Sequence, residues 1–289
     1  MAEADHLPGS GGARVPTAAS NLAVRIVSAL VLAPLAIVTA YVGDWPFVLF
    51  WGVAAIAVLW EWTTLVAGRD HRLMVSACGS AVAVAALVTC IGRPIAAILL
   101  IGLGALASLI FAPRHRRLWV TAGVGYAGVM LMAPSILRSD DTDGFGFVAI
   151  ILLFAVVWTT DVVGYFAGRA FGGPKLAPTI SPKKTWSGAI AGTLGAVVAA
   201  VGVACLWGDY NRIAIAFVAL VLSVVAQVGD LMESRIKRQF GVKDSSALIP
   251  GHGGVMDRLD GFWAAALVGC LIGLARGGLD GAARGLLMW

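Results

Sequence analysis

The sequence predicts an all-α, polytopic integral membrane protein with about nine transmembrane helices, and three observations carry that expectation. Of 289 residues, 59% are hydrophobic and only 13% are charged, against roughly 25% charged in soluble chains. Apolar runs of about 18–22 residues recur along the length, each matching the ~20 residues a helix needs to cross a hydrocarbon core of ~30 Å. Strands of a membrane barrel would alternate polar and apolar in ~10-residue segments, and these runs do not alternate.

In chain order, residues 1–20 are rich in Gly, Ala, Ser and Pro without an apolar period, which predicts a disordered cytoplasmic tail. Spans are expected at 22–41, 46–66, 73–91, 94–111, 118–137, 145–167, 186–207, 213–231 and 261–275. The first contains a faint cleavage-like Val38-Thr39-Ala40. Its apolar core exceeds the roughly 7–15 residues of a signal peptide, so it reads as a retained anchor. The chain thus divides into the tail (1–20), helices one to five (21–140) and helices six to nine with the charged motifs (141–289).

Alternating the 21 Lys and Arg residues between the two sides of these spans puts sixteen on one side. Only five, Arg93, Arg138, Arg212, Arg276 and Arg284, fall on the other. Positive charge collects on the cytoplasmic side, so the N-terminus is expected inside and the C-terminus outside. The net charge of +5 then reflects topology. The basic residues form no stripe with interleaved aromatics, and no nucleic-acid partner is expected.

Cys78, Cys90, Cys205 and Cys270 lie in apolar runs without metal-ligand spacing and are expected to be small core residues. The run Asp140-Asp141-Thr142-Asp143 is expected to be a solvated external loop. Glu61, between Trp60 and Trp62 near the end of the second span, is expected to snorkel to the interface.

Charge is otherwise concentrated. Ten of the 37 Asp, Glu, Lys and Arg residues lie between Gln227 and Asp260, on the predicted cytoplasmic side. Asp161 sits two or three turns inside the sixth span, where an ionisable group is costly and functional by default. The alternative is a structural ion pair with Arg169. Next come Gly172-Gly173-Pro174-Lys175 and Ser181-Pro182-Lys183-Lys184-Thr185-Trp186. Helix-start amides, Ser181, Thr185 and the Lys183-Lys184 pair suit phosphate oxygens, although two such lysines also suit anionic lipid head groups.

At the end of the eighth span, Asp230, Glu233, Ser234 and Lys237 fall at i, i+3, i+4 and i+7 and share one helix face, with Glu233 and Lys237 a favourable pair. Pro250-Gly251-His252-Gly253-Gly254 offers backbone that can approach an anion closely. His252 suits either a catalytic base or a loop histidine that hydrogen-bonds phosphate or backbone; the second reading is preferred. Asp257 and Asp260 flank Arg258, and carboxylates beside cations at a membrane face are the ingredients for a magnesium-bound polyphosphate.

These motifs resemble the phosphatidate cytidylyltransferase family, the CDP-diacylglycerol synthases. The family pattern is matched by Ser234, Lys237-Arg238, Lys243-Asp244, His252-Gly253-Gly254 and Asp257-Arg258-Leu259-Asp260. Upstream, Asp161, Gly164, Gly168-Arg169, Lys175-Leu176 and 181–186 are also similar, so the likeness spans roughly a third of the chain; the first five spans share only hydropathy.

The resemblance implies synthesis of CDP-diacylglycerol and pyrophosphate from CTP and phosphatidate. It also implies a requirement for one or two Mg²⁺ ions, an association with K⁺ in some members, and a polar cavity open to the cytoplasm. A homodimer in the plasma membrane, surrounded by membrane lipids, completes the picture. Asp230 and Asp257 correspond to the family's metal ligands, with Asp260 close by. Ser181, Lys183, Lys184 and Thr185 are expected on nucleotide phosphates, assisted by Lys237, Arg238 and Arg258.

Two other readings stay open at the level of sequence. A CTP-dependent lipid kinase, or a transferase for an isoprenoid or ether lipid phosphate, would share the nucleotide motifs. An ion-coupled transporter would explain the intramembrane Asp161. It also predicts polar residues at mid-membrane in several spans, whereas the charged motifs here crowd into the ends of the last four.

Overall fold

The computed structural model describes residues 18–67, 72–140, 142–249 and 253–289. Among them the chain forms α1 (Ala18–Val42), α2 (Asp44–Ala67), α3 (Arg72–Cys90), α4 (Pro94–Phe111), α5 (Arg117–Arg138) and α6 (Phe145–Phe171). A hairpin of β1 (Lys175–Ala177) and β2 (Ser181–Thr185) follows, then α7 (Trp186–Trp207), α8 (Arg212–Gln239), α9 (Met256–Leu259), α10 (Phe262–Gly277) and α11 (Ala282–Leu287). Each expected span coincides with one of these helices. Six of them, α2 and α4 to α8, are long and apolar enough to cross a membrane, and shorter apolar helices cover Leu30–Val42, Ser76–Cys90 and Phe262–Gly277. The protein is an all-α integral membrane protein.

Helix α5 is the central post. Val124, Ala127, Leu131 and Leu137 on it are fully buried, and it packs against α2, α4 and α10. Small residues make room for large neighbours: Gly123 faces the Trp62 indole and Gly128 faces Ile101. Trp62 is also fixed by its Nε1, which donates to the Trp119 carbonyl at 2.7 Å. In contrast, α4 and α7 bury little of their surface and expose leucines such as Leu99, Leu103 and Leu194, as helices bordering lipid do.

The tightest helix pair is α6 with α7. A Cβ added at Gly188 would lie 2.6 Å from the Gly164 carbonyl, and one at Gly164 would lie 3.3 Å from the Gly188 carbonyl. Glycines here let the two backbones touch, the small-residue contact that drives association where lipid removes the hydrophobic incentive. The connection between these helices is a β-hairpin, with Lys175 opposite Thr185 and Ala177 opposite Ser181. Pro182 is tolerated because a two-stranded ribbon has free edges.

Three expectations need correcting. Asp140 is buried, and its Oδ2 accepts from the Arg284 backbone N–H at 3.1 Å and Nε at 3.2 Å; it ties α11 back onto the bundle instead of lying in a solvated loop. Glu61 is fully buried and does not snorkel. Cys205 is exposed on α7, whereas Cys78 and Cys270 are core residues as expected. Residues 1–17 of the expected tail lie outside the described residues.

Candidate active site

Helix α8 has 28 residues, which at 1.5 Å per residue is about 42 Å, longer than a ~30 Å hydrocarbon core. Its last turns therefore carry Asp230, Glu233, Ser234 and Lys237 past the apolar stretch while remaining helical. The polar face expected from their spacing exists and splits into two clusters.

The first cluster lines a cavity of about 590 Å³ between α6, the hairpin, the start of α7 and α8. Asp161, Arg169, Lys175, Lys183, Lys184 and Asp230 all reach it. Lys184 Nζ contacts Asp230 Oδ2, and Ser234 Oγ donates to Asp230 Oδ1 at 3.3 Å. Asp161 makes no ion pair with Arg169, which instead donates to the Tyr165 hydroxyl at 3.1 Å. Deeper in, Thr160 and Ser223 hydroxyls lie 2.7 Å apart, and Gln227 Nε2 donates to Thr193 Oγ1 at 2.9 Å. The cavity floor is thus polar and internally satisfied.

The second cluster is buried. Lys237 Nζ bridges Glu233 Oε1 at 3.0 Å and Asp257 Oδ1 at 2.5 Å, and Tyr126 of α5 donates to Glu233 Oε2 at 3.0 Å. Asp257 Oδ2 accepts the backbone N–H groups of Ser245 at 2.9 Å and Gly254 at 2.8 Å. Burial pushes the Asp257 carboxyl up, but the Lys237 ammonium and those two N–H groups outweigh it and hold it below its ordinary 3.8. Asp260 ends the turn that leads into α10, where its Oδ1 accepts from Gly261 N at 2.8 Å. Burial, together with the charges of Asp230, Glu233 and Asp161, holds its carboxyl well above the ordinary range.

Glu61 completes the second cluster from α2. Its Oε1 accepts from Ser246 Oγ at 2.6 Å and Val255 N at 2.8 Å. Its Oε2 accepts from Met256 N at 2.7 Å and lies 3.1 Å from Ser245 Oγ. That hydroxyl is also 2.9 Å from Asp257 Oδ2, so its single proton serves one carboxylate at a time. Gly254 is packed so closely against Ser245 and Glu61 that no Cβ fits. Gly254 does approach an anion through its backbone, and that anion is the protein's own Asp257 carboxylate.

Of the other expected residues, Thr185 caps α7 by accepting from Gly188 N at 3.2 Å, and it also borders the cavity. Ser181 opens β2, half-buried. Arg238 donates to the Val242 carbonyl at 2.8 Å, closing the turn after α8. Lys243, Asp244 and Arg258 are exposed, and Gly253 pairs its carbonyl with Ile249 N at 2.8 Å. His252 lies outside the described residues. Glu61 is the participant a sequence reading misses: a lone acid between two tryptophans carries no signal of a partner loop 184 residues further on.

A helical membrane protein whose cavity gathers lysines around aspartates is of the class suited to phosphate-bearing ligands at a bilayer surface. The profile of the cytidylyltransferase family matches residues 23–273, and the chain belongs to that family. A phosphatidate cytidylyltransferase of Brucella abortus is 44% identical over 257 residues, covering 88% of this chain and 94% of the relative. Relatives of the same name match over shorter stretches. The protein of Haemophilus influenzae is 46% identical over 120 residues (40% of this chain, 42% of the relative). That of Rickettsia bellii is 44% identical over 117 residues (38% and 51%).

Proposed function

We propose that the chain converts CTP and phosphatidate to CDP-diacylglycerol and pyrophosphate at the cytoplasmic face of the plasma membrane, as a step of phospholipid synthesis. The observation that carries this reading is the cation-lined cavity of about 590 Å³ at the ends of membrane-length helices, where a soluble triphosphate and a bilayer phosphate can meet. The cytoplasmic orientation, the count of nine spans and a homodimer belong to the same proposal; the sixteen-to-five division of basic residues supports the orientation.

In this reaction an oxygen of the phosphatidate phosphate attacks the α-phosphorus of CTP. A new P–O bond forms, the bond from that phosphorus to the bridging oxygen breaks, and pyrophosphate leaves. The attacking phosphomonoester, with a second pKa of about 6, is already largely dianionic at neutral pH, so no side chain has to remove a proton. His252 is therefore assigned to binding. Repulsion between two polyanions is the obstacle. Lys175, Lys183, Lys184 and Arg169 along the cavity lower it by placing fixed positive charge around the reacting phosphates.

Mg²⁺, one ion or two, when bound supplies further charge neutralisation to the transferred phosphoryl group and the leaving pyrophosphate. Asp230 and Asp257 are the residues that would hold it, with Asp260 as a further carboxylate. The donors fit a hard cation that keeps water and phosphate oxygens in its shell. Among the described residues no three acidic, His or Cys side chains form a ready-made cage. Asp230 opens onto the cavity, and Asp257 Oδ1 has one protein partner, Lys237, leaving a lone pair.

Mass spectrometry of products from purified protein, CTP, Mg²⁺ and a panel of lipid phosphates tests the proposal. CDP-diacylglycerol with equimolar pyrophosphate is expected. A lipid diphosphate formed together with CDP would establish a kinase instead, and ion flux in liposomes without any lipid product would establish a transporter.

A further inference from the structure

We propose that Glu61 of α2 is a positioning residue of the transfer site: it holds Ser245-Ser246 and Val255-Met256 together and thereby sets where Asp257 and Arg258 stand. The inference rests on the reading of that pair as part of the transfer site. With Tyr126 of α5, which holds Glu233, Glu61 ties the N-terminal helices to the site.

The geometry is that of an anion receptor turned inward. Each oxygen of a fully buried carboxylate meets one backbone N–H, of Val255 or Met256, and one serine hydroxyl, of Ser246 or Ser245. A carboxylate offers about four acceptor sites; three are held by Ser246, Val255 and Met256, and the fourth faces the Ser245 hydroxyl, whose proton is shared with Asp257. Among the described residues no cation pairs with Glu61, so hydrogen bonds alone satisfy the buried charge, as they must.

The donors come from both ends of the loop between α8 and α9, and the second pair immediately precedes Asp257. Asp257 closes the loop from the other side by accepting from Ser245 and Gly254. The two carboxylates thus hold the same segment from opposite directions, one on a membrane-length helix and one at the site. Moving Glu61 moves the backbone from which Asp257 and Arg258 project.

A glutamine at this position cannot reproduce the pattern. Its amide nitrogen would face either the Val255 or the Met256 N–H, donor against donor, and one backbone group would be left without a partner.

The test uses the full-length protein in detergent or nanodiscs, as wild type, Glu61→Gln and Ser246→Ala. Hydrogen exchange at 245–256 is measured without metal or substrate, and kcat and the Mg²⁺ concentration for half-maximal rate are measured separately. Glu61→Gln is expected to raise exchange at Val255 and Met256 at least about tenfold, with α5 and α6 unchanged. Together with that, kcat should fall, or the Mg²⁺ requirement rise, about 10–100-fold, the range for groups that orient ligand-bearing residues.

Faster exchange with wild-type kcat and Mg²⁺ response would overturn the positioning role, and unchanged exchange would overturn the clamp. If Glu61→Gln loosens α5 and α6 too, Ser246→Ala decides, because it removes one donor and keeps the carboxylate. Raised exchange at Val255 with kcat reduced several-fold supports the proposal; wild-type values refute it. A wild-type protein without cytidylyl transfer would defeat the proposed function, while the exchange data would still report on the clamp.

Discussion

Lys237 is the keystone of the buried cluster, and replacing it with methionine gives the clearest energetic prediction. Its ammonium lies between Glu233 Oε1 at 3.0 Å and Asp257 Oδ1 at 2.5 Å, and the two carboxylate residues are only 1% and 9% exposed. Methionine keeps the length of the aliphatic stem and removes the charge, leaving two carboxylates in one poorly solvated space. Removing one member of a buried ion pair costs about 3–5 kcal/mol, mostly through the charge left behind. At about 2–4 °C per kcal/mol for a sizeable chain, thermal unfolding in detergent should begin roughly 6–20 °C lower. Adding Glu233→Gln removes one stranded charge while keeping an acceptor for Tyr126, and should recover about half of the loss. A single variant within about 3 °C of wild type, or a double variant less stable than the single, would refute this reasoning.

Other perturbations follow from the same geometry. Asp230→Asn should lower kcat about 100-fold or more and weaken the Mg²⁺ response, read from pyrophosphate release; an unchanged Mg²⁺ titration would remove Asp230 from the metal site. Gly192→Val should cost about 1–3 kcal/mol, because a side chain there meets the Thr160 carbonyl and Gly164; thermal unfolding checks it. The Asp257 carboxyl is held below 3.8, so its contribution to the loop is fully present above that pH and is lost as pH falls through the folded value. Pepsin nicking of 244–249 should accordingly start only below pH 3.8, and nicking that begins above pH 5 would contradict the assignment.

Much of this architecture was legible because it is written in one dimension. Hydropathy locates the helices, the helical period puts Asp230, Glu233, Ser234 and Lys237 on one face, and the i,i+4 spacing foretells the Glu233–Lys237 contact. What stayed hidden depends on partners distant in sequence. Glu61 and Asp140 look like interface and loop acids until α9 and α11 fold back against them. The local pattern did not foretell that Gly254 donates to Asp257, since a glycine backbone can approach any anion. Thr185 was read only as a group suited to phosphate; its role as the cap of α7, accepting from Gly188 N, was in the sequence too, since Thr is a favoured residue just before a helix.

The central claim is nucleotidyl transfer to a lipid phosphate, and the fate of each phosphorus of CTP tests it most directly. Purified protein is incubated with phosphatidate, Mg²⁺ and CTP labelled at either the α- or the γ-position. The account predicts α-label in the lipid product and γ-label in pyrophosphate, one for one. γ-Label in the lipid would mean that the cavity transfers a terminal phosphoryl group and would contradict it.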